Sequence, residues 1–423
     1  MLMIRNSYLI DPASGTEGKR DILIDNGRVV KIERNLLPPA GASVIDAGGM
    51  IACPGLIDTH SHFRDPGFTY KEDLSTGAES AVKGGYTTII LRANTKPPVD
   101  SVPVLRDILE RGRRLPVRLY SCANVTKGMA GKELADLAAL AECGAAGFTD
   151  DGLPIMDSAV LRSALEIAKA LNLPVSLHEE DTSLISENGV NGGGKAAAFL
   201  GLAGSPREAE YTLIARDVQI AAELDAPLCV QHISTAEGVD YVRRARRGHP
   251  SIHAEATPHH FSLTEDAGIA RGTLAKVNPP LRTEEDRLAI IRGLQDGTID
   301  IIATDHAPHA AAEKEKPFVQ APSGMIGLET ALSLAVKNLV QPGHLTMMQM
   351  LACLTCNPAD FYHLEAGRLE PGAPADLTIF DPEEEWIVPS EFASKSCNSP
   401  FIGDKLPGVV HYTIVGGEVV YRR

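Results

Sequence analysis

Between residues 54 and 310, short apolar runs alternate with longer stretches of helical periodicity. The runs are "CPGLIDTH", "YTTIILRAN", "PVRLYSCAN", "GAAGFTDD", "LPVSLHEE", "APLCVQHIS", "SIHAEATPHH" and "DIIATDHAPH". Between them lie patterns such as "KELADLAALAECG", "DSAVLRSALEIAKALN" and "REAEYTLIARDVQIAAELD". Strands buried on both faces read as continuous apolar runs, and helical crossovers make neighbouring strands parallel. Eight such units predict an α/β fold, a TIM (β/α)8 barrel over residues 54–364. An open doubly wound sheet is the alternative, but no Gly-rich dinucleotide turn follows the first strand.

The two ends of the chain have a different pattern. "DILIDNGRVVKIE" alternates polar and apolar positions around Asn26-Gly27, a hairpin signal. The tail "VVHYTIVGGEVVYRR" does the same around Gly416-Gly417. Residues 1–53 and 365–423 are therefore expected to meet as one small β-rich, sandwich-like domain beside the barrel.

Composition narrows the function classes. The 423 residues are 44% hydrophobic and 22% charged, with a net charge of −15. That balance disfavours nucleic acid and anionic membranes, which need basic surface, but permits a small anionic substrate held by local cations. Seven scattered cysteines and no recognisable signal peptide point to a reducing cytoplasm rather than a disulfide framework. No apolar run reaches the roughly 18 residues of a membrane span.

The chemistry-bearing residues fall at strand ends, where barrel active sites gather. The first strand ends in His60 and His62, which share a face because side chains alternate. The fourth ends in Asp150 and Asp151, the fifth in His178, the sixth in His232 and the eighth in Asp305. Any one of these is ordinarily a hydrogen-bonded loop residue or a helix N-cap, and one of the two aspartates is expected to cap. Together they form a His/Asp set suited to zinc, and also to manganese, iron or cobalt. A divalent cation there would activate water and polarise an amide, with Asp305 as proton carrier: hydrolysis of a C–N bond, or its reverse. His259, His260 and His306 lie near the mouth without a specific role.

Other motifs carry less. "GVNGGGKA" approaches the phosphate-loop pattern but lacks a Ser/Thr after Lys195, so a mobile loop is expected. "CLTC" (353–356) has no second pair and reads as helix packing. "DPEEEW" near Asp381 reads as a solvated turn.

The stretches "GLIDTHSHFRDPGFTYKED", "TDHAPH" with "GLETALSL", "LGLAGSPREAE", "KVNPPLR" and "KSCNSPFIGDKLPG" closely resemble the dihydroorotases of the bacterial class I branch of the amidohydrolase superfamily. The resemblance spans nearly the whole chain. It implies reversible cyclisation of N-carbamoyl-L-aspartate to L-dihydroorotate in de novo pyrimidine synthesis, with one or two zinc ions. By motif match, His60, His62 and Asp305 would bind one zinc, His178 and His232 a second, and Asp151 would bridge them. Relatives often bridge with a carboxylated lysine, which this chain lacks at that strand. His62, Arg64, Asn94, Asn278, His309, Ser323 and Gly324 would contact the substrate, with Arg64 gripping its carboxylate. The bland readings are an Arg64–Asp65 pair and an Asn278-Pro279 turn. The family usually has Met at Arg92 and Phe at Ser323, which puts substrate affinity in question. The resemblance also implies a homodimer and a complex with aspartate transcarbamoylase as the partners to look for. Rival readings are a hydantoinase or allantoinase acting on another cyclic amide, and a non-catalytic scaffold for the transcarbamoylase. Arg64, Asn94 and Asn278 favour a substrate with a free carboxylate, and the filled ligand positions favour an enzyme.

Overall fold

A computed structural model describes residues 1–423. The chain opens with β1 (Leu2–Asp11), β2 (Thr16–Asp25), β3 (Arg28–Glu33), β4 (Ser43–Asp46) and β5 (Ile51–Pro54). Asn26 and Gly27 form the β2–β3 turn with φ of 48° and 74°, the left-handed pair that a two-residue hairpin favours. Next come β6 (Leu56–Ser61), β7 (Tyr86–Leu91), β8 (Arg118–Ser121), β9 (Val175–Leu177), β10 (Leu228–Val230), β11 (Ile252–Ala256) and β12 (Ile301–Ile302), separated by helices. The chain ends with β13 (Leu377–Ile387), β14 (Lys405–Val415) and β15 (Glu418–Arg422). The strands from both termini join in one eight-stranded sheet, in the order β15-β14-β13-β5-β1-β2-β3 with β4 against β1.

Barrel strands β6–β8 and β9–β12 pair in parallel, as buried apolar runs require. The fourth expected strand, "GAAGFTDD", forms no ladder of its own. Phe148 bridges instead to Ala123 on one side and Val175 on the other. Ala123 N donates to Gly147 O and Ser176 N to Phe148 O, so the ring stays continuous. The ring closes where Ser61 pairs with His306: His62 N donates to His306 O at 2.9 Å. No helix is long and apolar enough to cross a membrane.

Several helices start at side-chain caps. Asp73 accepts from Ser75 N and Thr76 N at the start of Leu74–Lys83, and Thr283 makes a capping box with Asp286 ahead of Glu284–Gln295. The cap of Ser158–Ala170 is Asp157. Asp150 caps no helix, contrary to expectation. It takes hydrogen bonds from Val125 N and Thr126 N, tying the loop after β8.

Two further expectations change, and a third holds. "DPEEEW" lies inside β13, where a register shift between Asp381 and Glu385 accommodates it, so it is a bulged strand rather than a free turn. "GVNGGGKA" is anchored: buried Asn191 donates to Glu265 and accepts from Arg282. Cys353 and Cys356 are buried free thiols at a junction of two helices, as packing predicts.

Gly55 joins sheet to barrel. A Cβ there would sit 2.1 Å from Thr87 Oγ1, so only glycine allows the close approach of β5–β6 to β7. Asp58, fully buried on β6, closes the ring. It accepts from Thr304 N and Thr304 Oγ1, each at 2.7 Å, and from Ser61 Oγ. Asp58→Ala strands a buried N–H and a hydroxyl, and is expected to lower the unfolding free energy by about 3 kcal/mol. A shift of the urea midpoint at constant slope measures it.

Candidate active site

The strand ends bring four imidazoles and two carboxylates to one buried centre. His60 Nε2 lies 3.3 Å from Asp151 Oδ1 and 3.5 Å from Asp305 Oδ1. His62 Nε2 lies 3.0 Å from Asp305 Oδ1 and 3.4 Å from Asp151 Oδ2. On the other side of Asp151, His178 Nδ1 is 3.0 Å from His232 Nε2. Two sets have ligand atoms within 4.8 Å of one another: His60, His62 and Asp151, and Asp151, His178 and His232. Asp151 belongs to both. Asp305 stands beside the first set, with φ of 47°, and His232 has φ of 30°. Non-glycine residues seldom adopt this region, so the surrounding packing must hold them there.

The donor chemistry fits a divalent cation. His60 Nε2 is fully buried and has no hydrogen-bond partner. Burial and Arg92 push the His60 imidazole down, but Asp151, Glu255 and Asp305 outweigh them and carry it up to about 10. The carboxylates thus draw positive charge to this point. A cation with imidazole ligands answers the same demand. Burial alone would raise Asp151 and Asp305. The surrounding histidines reverse that and hold both below the usual carboxylate range.

Above the centre lies a cavity of about 180 Å³ lined by every residue expected at the site except His60, which is sealed beneath it. Gly152 and Ala307 complete the lining. Arg64 does not pair with Asp65, which is held by Arg111 at 2.8 and 3.0 Å. Arg64 Nε instead donates to Pro308 O at 3.3 Å, and its Nη2 lies 3.5 Å from His309 Nε2, with no carboxylate paired to it. Asn94 Oδ1 is 2.9 Å from His62 Nδ1, and Asn94 Nδ2 is 3.4 Å from Asp151 O. His309 Nε2 donates to Ser323 O at 2.9 Å, and its Nδ1 accepts from Lys71 Nζ at 3.2 Å. Ser323 Oγ donates to Asn278 Oδ1 at 3.0 Å.

The Amidohydrolase family profile matches residues 51–420. The chain is 51% identical over 422 residues to the dihydroorotase of Clostridium acetobutylicum, covering 100% of this chain and 99% of that one. It is 47% identical over 421 residues to the dihydroorotase of Lactococcus lactis, again covering 100% and 99%. The chain belongs to the dihydroorotase family of amidohydrolases. Its fold is also that of the L-hydantoinase (dihydropyrimidinase) of Arthrobacter aurescens, with a TM-score of 0.90 at 27% identity, covering 100% and 96%.

Two departures from the dihydroorotase pattern find a place. At Ser323 a hydroxyl bonded to Asn278 stands where the family usually packs a phenyl ring. Arg92 does not reach the cavity; it is buried inside the barrel, beside Glu255, whose carboxylate receives the His60 Nδ1 proton. The sequence reading missed Glu255. The only signal was a charged residue in the middle of the apolar run "SIHAEATPHH".

Burial, then the Arg64, Lys71 and Lys314 cations, push His309 down to about 2. It stays neutral through the working range and keeps its Nε2–H on Ser323. The unfolded chain takes up this proton below pH about 6.5 while the folded protein does not, so this contribution to stability is whole above that pH and shrinks as pH falls. A histidine NMR titration is expected to show no His309 step between about pH 5 and about 9; a step near the ordinary histidine value would contradict the geometry.

Proposed function

We propose that this dihydroorotase catalyses the reversible ring closure of N-carbamoyl-L-aspartate to L-dihydroorotate, a step of pyrimidine synthesis, with zinc in the His/Asp centre. The observation that carries the reading is a guanidinium without a carboxylate partner and a His/Asp cluster able to hold a divalent cation, both facing one small cavity in a chain matching dihydroorotases end to end. His60 and His62 would hold one ion with Asp305 beside them, His178 and His232 would serve a second, and Asp151 would be common to both. The two sets that meet at Asp151 support this assignment. When bound, zinc polarises the amide carbonyl and lowers the pKa of water to about 7.

The chain's own groups do the rest. In the hydrolytic direction Asp305, kept ionised by the histidines around it, takes a proton from the attacking water and delivers it to the departing ring nitrogen. In the synthetic direction it takes the proton from the carbamoyl nitrogen and returns it to the leaving oxygen. Arg64 pairs with the substrate carboxylate, and its bond to Pro308 O sets the plane in which it does so. Asn94, Asn278, His309 and the main chain at Ser323 and Gly324 orient the ring. A hydantoinase or allantoinase substrate would leave Arg64 without a carboxylate, and an unpaired buried cation is costly.

The test is dihydroorotate hydrolysis by zinc-loaded protein, followed by loss of ring-amide absorbance, beside a metal-stripped sample. Metal-dependent turnover is expected. Its absence in the loaded protein, alone and with aspartate transcarbamoylase added, would overturn the reading. Asp305→Asn is expected to lower kcat on the order of a thousandfold with little change in KM. Arg64→Ala is expected to raise KM roughly a hundredfold, since it removes charge-assisted bonds to the carboxylate; an unchanged KM would remove Arg64 from the site.

A further inference from the structure

Inside the barrel, beneath the His/Asp cluster, three charged or ionisable side chains from three parts of the ring line up, all of them buried. Arg92 follows β7, Glu255 lies on β11 and His60 on β6. All three are buried to within one per cent of complete. Glu255 Oε1 receives the proton on His60 Nδ1, and Glu255 Oε2 faces Arg92 Nη2 at 3.6 Å and accepts from Thr59 Oγ1 at 3.3 Å. The far side of Arg92 is fixed by Nη1, which lies 3.3 Å from Tyr362 Oη and 3.7 Å from Cys122 Sγ.

The functional readings above leave Arg92 and Glu255 without a task. A buried guanidinium is costly and is retained only where a countercharge needs it. Its countercharge here is a carboxylate that is itself committed to one nitrogen of a metal-facing histidine. A proton held on Nδ1 leaves the lone pair on Nε2, and Nε2 is the atom that faces Asp151 and Asp305 without a hydrogen-bond partner.

We propose that Arg92 and Glu255 are positioning residues for His60. Glu255 fixes the imidazole's tautomer and plane, and Arg92 supplies the charge that keeps Glu255 in place. Neither touches the substrate. The inference rests on His60 being a metal ligand, and it gives the family-atypical Arg92 a role in metal affinity rather than in substrate recognition.

The experiment measures zinc affinity by competition with a chromophoric chelator, independently of turnover, alongside kcat, KM and thermal unfolding. Arg92→Met is expected to weaken zinc binding about 10- to 100-fold, the usual cost of losing a partner behind a ligand, with KM for dihydroorotate within about twofold of the starting protein. Arg92→Lys, which keeps the charge, is expected to recover most of that affinity. In a Glu255→Gln background, Arg92→Met is expected to add no further loss, because the relay is already broken. Wild-type affinity in Arg92→Met would overturn the proposal. So would an Arg92→Lys protein as weak as Arg92→Met, or losses that add in the double variant. If Arg92→Met alone fails to fold, the double variant against Glu255→Gln decides, since it buries no unpaired charge. If the starting protein binds zinc but does not hydrolyse dihydroorotate, the proposed reaction fails and the relay is still judged by the chelator series.

Discussion

His62 and Asp305 lie 243 residues apart in the chain and 3.0 Å apart in space, and ring closure is what brings them together. The first barrel strand must pair with the eighth. That seam is short: a single Ser61–His306 bridge and the Asp58 carboxylate across to Thr304. β6 leaves the terminal sheet through Gly55 with no slack, and the close approach to Thr87 fixes its register. A strand displaced by one residue would turn His60 and His62 toward the helices and place Ser61 in the mouth. The His/Asp cluster, the cavity above it and the buried Arg92 and Glu255 beneath it all depend on that register.

Charge is arranged in layers along the barrel axis. Glu255 and Arg92 lie deepest, His60 with Asp151 and Asp305 above them, and Arg64, His309 and Lys71 around the mouth. Each layer counters its neighbour, which is how so many ionisable groups can be buried together. The net charge of −15 says nothing of this. Lys276 and Lys314, close to the cavity wall, spend their ammonium protons on carbonyls: Lys276 on Phe318 and Ala321, and Lys314 on Pro322 and Gly324. They tie down the 317–324 loop, while burial pushes both ammonium groups below their ordinary range.

Much of this was legible in the sequence because barrel strands are buried on both faces and their C-terminal ends are where polar residues reappear. The His60–His62 spacing, the single histidines after β9 and β10 and the aspartate at the eighth strand are all breaks of that kind. What was not legible has one cause. A charged residue inside an apolar run gives no sign of whether it faces a core, a helix or another charge. Glu255 was hidden that way, and Arg92 was visible only as a departure from a family pattern. "GAAGFTDD" was right as a barrel segment and wrong as a ladder: it joins the ring by single bridges at Phe148. Asp150 and Asp151 could not be told apart, because a cap, a loop tie and a metal-facing carboxylate look alike without the third dimension.

The C-terminal segment shows why the small sheet and the barrel act as one unit. Asn398 accepts from His309 N through its side-chain oxygen and donates to Ala307 O and Gly324 O. Its own carbonyl accepts from Ile326 N. Four bonds from one buried asparagine therefore lace together the two loops that carry His309 and Gly324. Nearby, Glu72 accepts from Ser394 Oγ and Lys395 N and lies 3.4 Å from His306 Nε2, on the strand that closes the ring. The tail thus braces the cavity wall from outside while β13 and β14 hold it against the first strands of the chain. The barrel supplies the ligands, but the wall that would meet the substrate takes its shape from residues about 90 positions further along.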